Sequence, residues 1–231
     1  MCSSDLDGDL ETSGCLFVGN RGWSGGAVAS QYNWIDYGST FIGNRAMRGY
    51  GGAAYVDKIV QLHGTVFQQN TAALGGGALW YGAANNWIHD LGVITLDRVI
   101  ATGNVAEGGS GGAVYGYDTG RDYETVVSSS VFKNNRALVD GGAIFDAEDA
   151  TLTVTGSTFQ QNRAGLRGIA VMGGSDGGAI MARFVSVVGN RFIGNIALDY
   201  GGAICSVNDV YTPDANVYRG NRDGAGYPNW Y

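Results

Sequence analysis

The sequence predicts an all-β fold, a right-handed parallel β-helix solenoid of about seven to eight rungs. Three observations predict it. A unit of F-x-x-N followed by G-G-A recurs along the chain. Glycine accounts for 40 of the 231 residues, and each costs about 1 kcal/mol against alanine inside a helix, so long helices are excluded. Hydrophobic residues make up 45% of the chain, with 13 tyrosines and 8 phenylalanines, too many for a disordered chain.

The units come in order. Phe17–Asn20 leads to Gly25-Gly26-Ala27, Phe41–Asn44 to Gly51-Gly52-Ala53, and Phe67–Asn70 to Gly76-Gly77-Ala78. A degenerate Ala101–Asn104 leads to Gly111-Gly112-Ala113, and Phe132–Asn135 to Gly141-Gly142-Ala143. Phe159–Asn162 leads to Gly177-Gly178-Ala179, Phe192–Asn195 to Gly201-Gly202-Ala203, and Tyr218–Asn221 closes the series. The asparagines are spaced 24, 26, 34, 31, 27, 33 and 26 residues apart. The shortest of these spacings holds about three short strands and three turns. Helical repeats would not tolerate a Gly-Gly pair in every unit.

Each repeated residue has a physical task. The Phe anchors a strand, its copies stacking about 4.8 Å apart. The Asn follows a turn position, tolerates left-handed backbone, and can join an amide ladder along the axis. Gly-Gly supplies positive φ and a close backbone approach. Val28, Ala54, Leu79, Val114, Ile144, Ile180 and Ile204 should line the core. The next column, Ala29, Tyr55, Trp80, Tyr115, Phe145, Met181 and Cys205, should turn outward by strand alternation. Arg21, Arg45, Arg136, Arg163 and Arg222 follow the signature asparagine and form an interrupted row on the outside of a turn, where like charges discourage sideways association.

Met1–Leu6 reads as translated sequencing adapter, and residues 7–231 as a single β-helix domain that is part of a longer array. The net charge of −7 and the presence of only two lysines, Lys58 and Lys133, argue against nucleic acid as a partner. No run of 18 apolar residues supplies a transmembrane helix. Cys2, Cys15 and Cys205 show no metal-ligand spacing and no dense disulfide framework.

The paired motifs F-x-x-N and G-G-A-[Ile/Leu/Val], running from residue 15 to 221, resemble the polymorphic outer membrane protein repeat of chlamydiae. That resemblance implies a secreted, autotransporter-like passenger region. Such regions are displayed extracellularly or at the outer-membrane cell surface, where they serve adhesion or structure. It also implies a host or cell-surface protein, or a glycan, as partner.

Departures from the period mark where a specialised surface would sit. From the signature Ala to the next Phe position the steps are 14, 14, 23, 19, 16, 13 and 15. The two longest leave the rung at the same place, so the segments 80–90 and 116–124 should lie side by side. They gather Trp80, Trp87, His89, Asp90, Tyr117, Asp118, Arg121, Asp122 and Tyr123 as candidate ligand-binding residues. Aromatics among carboxylates and a guanidinium can grip a sugar chain or a protein, though two surface loops packing on each other would look the same. A further long step, from Asn162 to Gly177, carries Ile169-Ala170-Val171-Met172 and reads as an apolar flap.

The alternative to an adhesion module is a carbohydrate-binding or carbohydrate-cleaving β-helix, lyase- or hydrolase-like, using the same flank. The Asn-Thr-Asp, Asp-Asp and Gly-His-Gly motifs of the polygalacturonase-like hydrolases are absent. With two histidines no Ser-His-Asp set is legible, and no catalytic residue is assigned. Asp140, Asp146, Glu148, Asp149, Asp176 and Asp199 fall in the last rungs. Calcium takes about six to eight oxygen ligands, which carboxylates of neighbouring turns could supply. Their spacing fits no calcium motif, nor does Asp5-x-Asp7-Gly8-Asp9, so neither a metal nor any other cofactor is predicted.

Overall fold

The computed structural model describes residues 2–4, 8–82, 92–117, 124–165, 176–211, 215–226 and 229, without the side chains of 2–4, 147–150 and 209. Among the described residues there is no helix. The chain coils as a parallel β-solenoid of three sheets with thirteen, eight and six strands.

The eight-stranded sheet shows the repeat most directly. Its strands run from Leu16–Val18 to Val217–Arg219, each paired in parallel with the equivalent strand of the next rung. Phe17 stands opposite Phe41, Phe41 opposite Phe67, and Phe67 opposite Ala101. The column continues through Phe132, Phe159, Phe192 and Tyr218. Rings stack at 4.6 Å for Phe17–Phe41 and at 5.0 and 5.1 Å for Phe132–Phe159 and Phe159–Phe192. Each such pair contributes about 0.5–1.5 kcal/mol beyond the area it buries. Trp34 meets Phe41 edge-on from across the core.

The signature asparagines form one continuous file. From Asn20 to Asn195, each Nδ2 donates to the Oδ1 of the next asparagine at 2.9–3.0 Å. The backbone N–H of each donates to the same oxygen. From Asn44 onward the second amide hydrogen caps a carbonyl of the preceding rung, Asn70 to Phe41 for example. The left-handed turn expected at Asn falls one residue earlier. Gly19, Gly43, Gly103, Gly194 and Gly220 carry positive φ there, as do Gln69, Asn134 and Gln161. That placement frees the Asn side chain to turn inward, where polar groups must find partners.

A second turn repeats the device two residues before the Phe. Ser130 N–H donates to Ser157 Oγ, Ser157 N–H to Asn190 Oδ1, and Asn190 N–H to Asn216 Oδ1. The residue ahead of each of the first three, Ser129, Gly156 or Gly189, has positive φ. In the first rungs Asp36 takes over. Fully buried, it accepts from the Thr12 hydroxyl at 2.5 Å, from the Ser39 N–H at 3.1 Å and from the Thr65 hydroxyl.

The two signature glycines do different work. Gly51 sits at φ +65°, and a Cβ there would lie 2.0 Å from the Ala54 carbonyl oxygen. A Cβ on Gly52 would lie 2.0 Å from the Gly77 oxygen of the next rung. The first glycine makes the turn, and the second lets adjacent rungs touch backbone to backbone.

The core column after Ala is buried from Val28 to Ile204, as expected. Each early rung has four strands where three were expected: Val28–Ser30, Trp34–Tyr37, Thr40–Ile42 and Arg45–Ala46 make one circuit. In later rungs the first two merge into single strands such as Ile144–Thr155 and Ile180–Val188. Arg21, Arg45, Arg136 and Arg163 lie on strands, not on a turn, and Arg222 forms an isolated bridge with Ile196. Arg21 pairs with Arg45 and Arg136 with Arg163 in the six-stranded sheet, whose inward alanines are buried from Ala46 to Ala164.

Candidate functional site

The two long segments leave from adjacent strands, Leu79–Gly82 and Val114–Tyr117, which pair in register with Gly82 opposite Tyr117. The chain re-enters on Val93–Asp97 and Glu124–Ser128, again adjacent, with Val93 opposite Glu124. Both ends of both segments are therefore fixed side by side on one flank, as the sequence implied. Trp87, His89, Asp90, Asp118, Arg121, Asp122 and Tyr123 lie outside the described residues. So do Ile169–Met172 of the expected apolar flap, and Asp5 and Asp7.

Trp80 and Tyr117 are described, and they belong to an aromatic cluster on the outer face. Trp80 stacks on Tyr55 at 4.3 Å and 3° between planes, with Tyr50 at 5.8 Å and Tyr117 at 6.4 Å. Tyr115 extends the cluster to Phe145 at 4.9 Å. Trp80 is only 4% exposed. Its indole lies over Gly82, where a Cβ would come within 2.7 Å of the ring, so glycine at that position makes room for it. The outward column thus points away from the core as expected, and its cover varies along the rod: Ala29 is exposed, Tyr55 half-buried, and Trp80 and Cys205 buried. Burial and a hydrogen bond to Asp57 hold the Tyr55 phenol above its ordinary pKa. Stacking on Tyr55 and the neighbouring Tyr50 and Tyr117 rings account for the burial of the Trp80 indole.

Beneath this flank the interior carries a polar patch that sequence reasoning missed. Tyr81 Oη and Thr125 Oγ1 are 2.8 Å apart, both buried, and the Asp146 carboxylate turns inward next to Gly116. Asp146 is thus buried in the interior, and the side chains of Glu148 and Asp149 lie outside the described residues. Asp140 Oδ1 accepts from the Asp176 N–H at 3.0 Å, and Asp176 Oδ1 from the Tyr200 N–H at 3.1 Å. These two carboxylates cap backbone donors between rungs. Burial pushes Asp140 up to about 6, with the charge of Asp176 adding to the effect. Among the described residues no group of three or more His, Cys, Asp and Glu side chains could hold a metal ion.

One further row has catalytic-looking members. Tyr37, His63, Asp97 and Ser128 stand opposite one another on successive rungs. Ser128 Oγ donates to Asp97 Oδ1 at 2.9 Å, and His63 Nδ1 lies 3.7 Å from Asp97 Oδ2. The carboxylate sits between hydroxyl and imidazole, so the imidazole cannot take the serine proton as a triad requires.

Fold and site together define a repeat solenoid whose rungs stack in register, with the strands that flank 83–91 and 118–123 adjacent on one side. Residues 129–146 and 191–207 match the Chlamydia polymorphic membrane protein repeat. The two stretches hold Phe132 through Gly141-Gly142-Ala143 and Phe192 through Gly201-Gly202-Ala203, in agreement with the motif resemblance. No curated protein and no solved structure matches the chain.

Proposed function

We propose that the chain is a cell-surface or secreted adhesion module, a passenger region of the polymorphic membrane protein type. On this reading it presents the flank at 83–91 and 118–123 to a protein on another cell. The observation that carries the reading is the contrast between a scaffold of near-identical rungs and two long segments anchored side by side at one corner. Repeat solenoids use such per-repeat insertions on one face for binding. The two repeat matches support surface association, because the matched family is a membrane protein family. The covered faces of Trp80 weigh against the carbohydrate-stacking alternative.

The test is adhesion of protein-coated beads to cultured cells. A variant in which 83–91 and 118–123 are each replaced by a short Asn-Gly turn serves as the control. The proposal expects the parent to bind and the shortened variant to lose binding while keeping its far-ultraviolet spectrum. Equal binding by both, or none by the parent, contradicts it.

A further inference from the structure

The arginine-bearing sheet has a second property that the adhesion reading does not use. Its strands are two residues long, and the chain bends directly after each, so this side of the rod is a narrow edge. On it the outward guanidiniums of Arg21 and Arg45 stand in register on neighbouring rungs. One step further round, Trp23 and Met47 occupy the same place in successive rungs, fixed by the Met47 N–H donating to the Gly22 carbonyl at 2.8 Å. Trp23 is 67% exposed, Met47 48%, and Leu74 in the next rung 38%. Arg48 lies over the Trp23 ring at 5.1 Å. Cations and large apolar tips therefore run together along one edge of a chain whose net charge is −7.

Local charge of this sign in an acidic protein selects an anionic counterpart, and exposed Trp and Met beside arginine suit the region between headgroups and acyl chains. A second copy of the chain is disfavoured, because self-contact of this edge would bring arginine rows together. A docked helix needs a groove, and the edge offers a ridge. We propose that this edge seats the rod on an anionic phospholipid bilayer, with Arg21, Arg45 and Arg48 against headgroup phosphates and Trp23 and Met47 entering the interface. Glu107 moderates the contact: it pairs with Arg45 at 2.8 Å and places a carboxylate on the same edge.

Co-sedimentation of the full chain with vesicles tests this, using phosphatidylcholine alone and phosphatidylcholine with phosphatidylglycerol. Binding to the anionic vesicles only is expected, and raised salt should weaken it. Each arginine near such a surface contributes about fivefold in affinity, so the triple variant Arg21→Gln/Arg45→Gln/Arg48→Gln should bind on the order of 100-fold more weakly. Trp23→Ala should also bind more weakly. Glu107→Gln, which frees Arg45 and removes a like charge from the lipid's side, should bind about fivefold more tightly. That gain cannot come from misfolding. The proposal is overturned if the parent ignores anionic vesicles, or if the triple and Glu107→Gln variants bind as the parent does. It is equally overturned if an acidic amphipathic peptide is bound and the vesicles are not. None of these outcomes depends on the 83–91 and 118–123 flank, so bead adhesion and vesicle binding can fail separately.

Discussion

Replacing Asn135 with alanine tests the asparagine file at its centre. Asn135 is fully buried, and its side chain makes four hydrogen bonds. Its Oδ1 accepts from the Asn104 N–H and from Asn104 Nδ2, each at 3.0 Å. Its Nδ2 donates to Asn162 Oδ1 at 3.0 Å and to the Ala101 carbonyl at 2.9 Å. Alanine strips the acceptor from the Asn104 N–H and from one Asn104 amide hydrogen, both inside the coil. A buried polar group left without a partner costs about 1–3 kcal/mol, so the substitution should destabilise by roughly 3–5 kcal/mol. Asn20 begins the same file, but its side chain is exposed, and its Nδ2 and N–H reach only Asn44 Oδ1. Alanine keeps the backbone N–H and water replaces the single Nδ2 bond, so Asn20→Ala should cost about 1 kcal/mol. Urea unfolding followed by circular dichroism measures both. Equal costs at the two positions, or a cost below about 1 kcal/mol at Asn135, would refute the claim that the ladder is a buried and satisfied network.

Other consequences follow from the same geometry. Gly77→Ala places a Cβ 2.1 Å from the Gly112 oxygen and should prevent folding, whereas Gly14→Ala meets open space and carries only the strain of φ +58°, about 1 kcal/mol; soluble yield and urea midpoints compare them. Trp80→Ala should destabilise by about 3–5 kcal/mol, as loss of a buried indole does, while the folded fraction still adheres to cells. Burial raises the Asp140 carboxyl from its ordinary 3.8 to about 6, so its contribution to stability is fully present below about pH 4 and is lost as pH rises through 6. The loss is at most about 3 kcal/mol. Asp140→Asn, which keeps an acceptor for the Asp176 N–H, should flatten that part of the urea-midpoint profile between pH 4 and 7.

Much of this architecture could be read in advance because a solenoid writes its register into its period. Phe, Asn and Gly-Gly-Ala recur, and the columns they begin, Phe17 to Tyr218 and Val28 to Ile204, lie where that recurrence puts them. The side-by-side exit of the two long segments was legible for the same reason, since an insertion after Gly82 and one after Tyr117 share a register position. What escaped was chemistry inside the coil. The second polar file was signalled by Ser, Thr or Asn two residues before the Phe, as at Ser39, Thr65, Ser130, Ser157, Asn190 and Asn216, but substitution at Val99 and Cys15 hid it. Asp36 was not identifiable as a core residue, because a carboxylate at an inward position reads as surface until Thr12 and Thr65 are seen to satisfy it. The burial of Trp80 escaped as well, because an outward strand position implies exposure. Stacking on Tyr55 removes that exposure, and single-chain periodicity carries no information about it.

The most direct measurement of the central claim uses disulfides between rungs. Gln68 and Thr102 stand opposite each other on adjacent strands, and Lys133 follows one strand further on. Neighbouring strands are about 4.8 Å apart, within the Cα separation a disulfide spans, and two strands exceed it. Gln68→Cys with Thr102→Cys, and Thr102→Cys with Lys133→Cys, should each cross-link on mild oxidation, and Gln68→Cys with Lys133→Cys should not, as read by peptide mapping. Cross-linking of the distant pair, or none in either adjacent pair, would mean that successive laps of the chain are not stacked in this register.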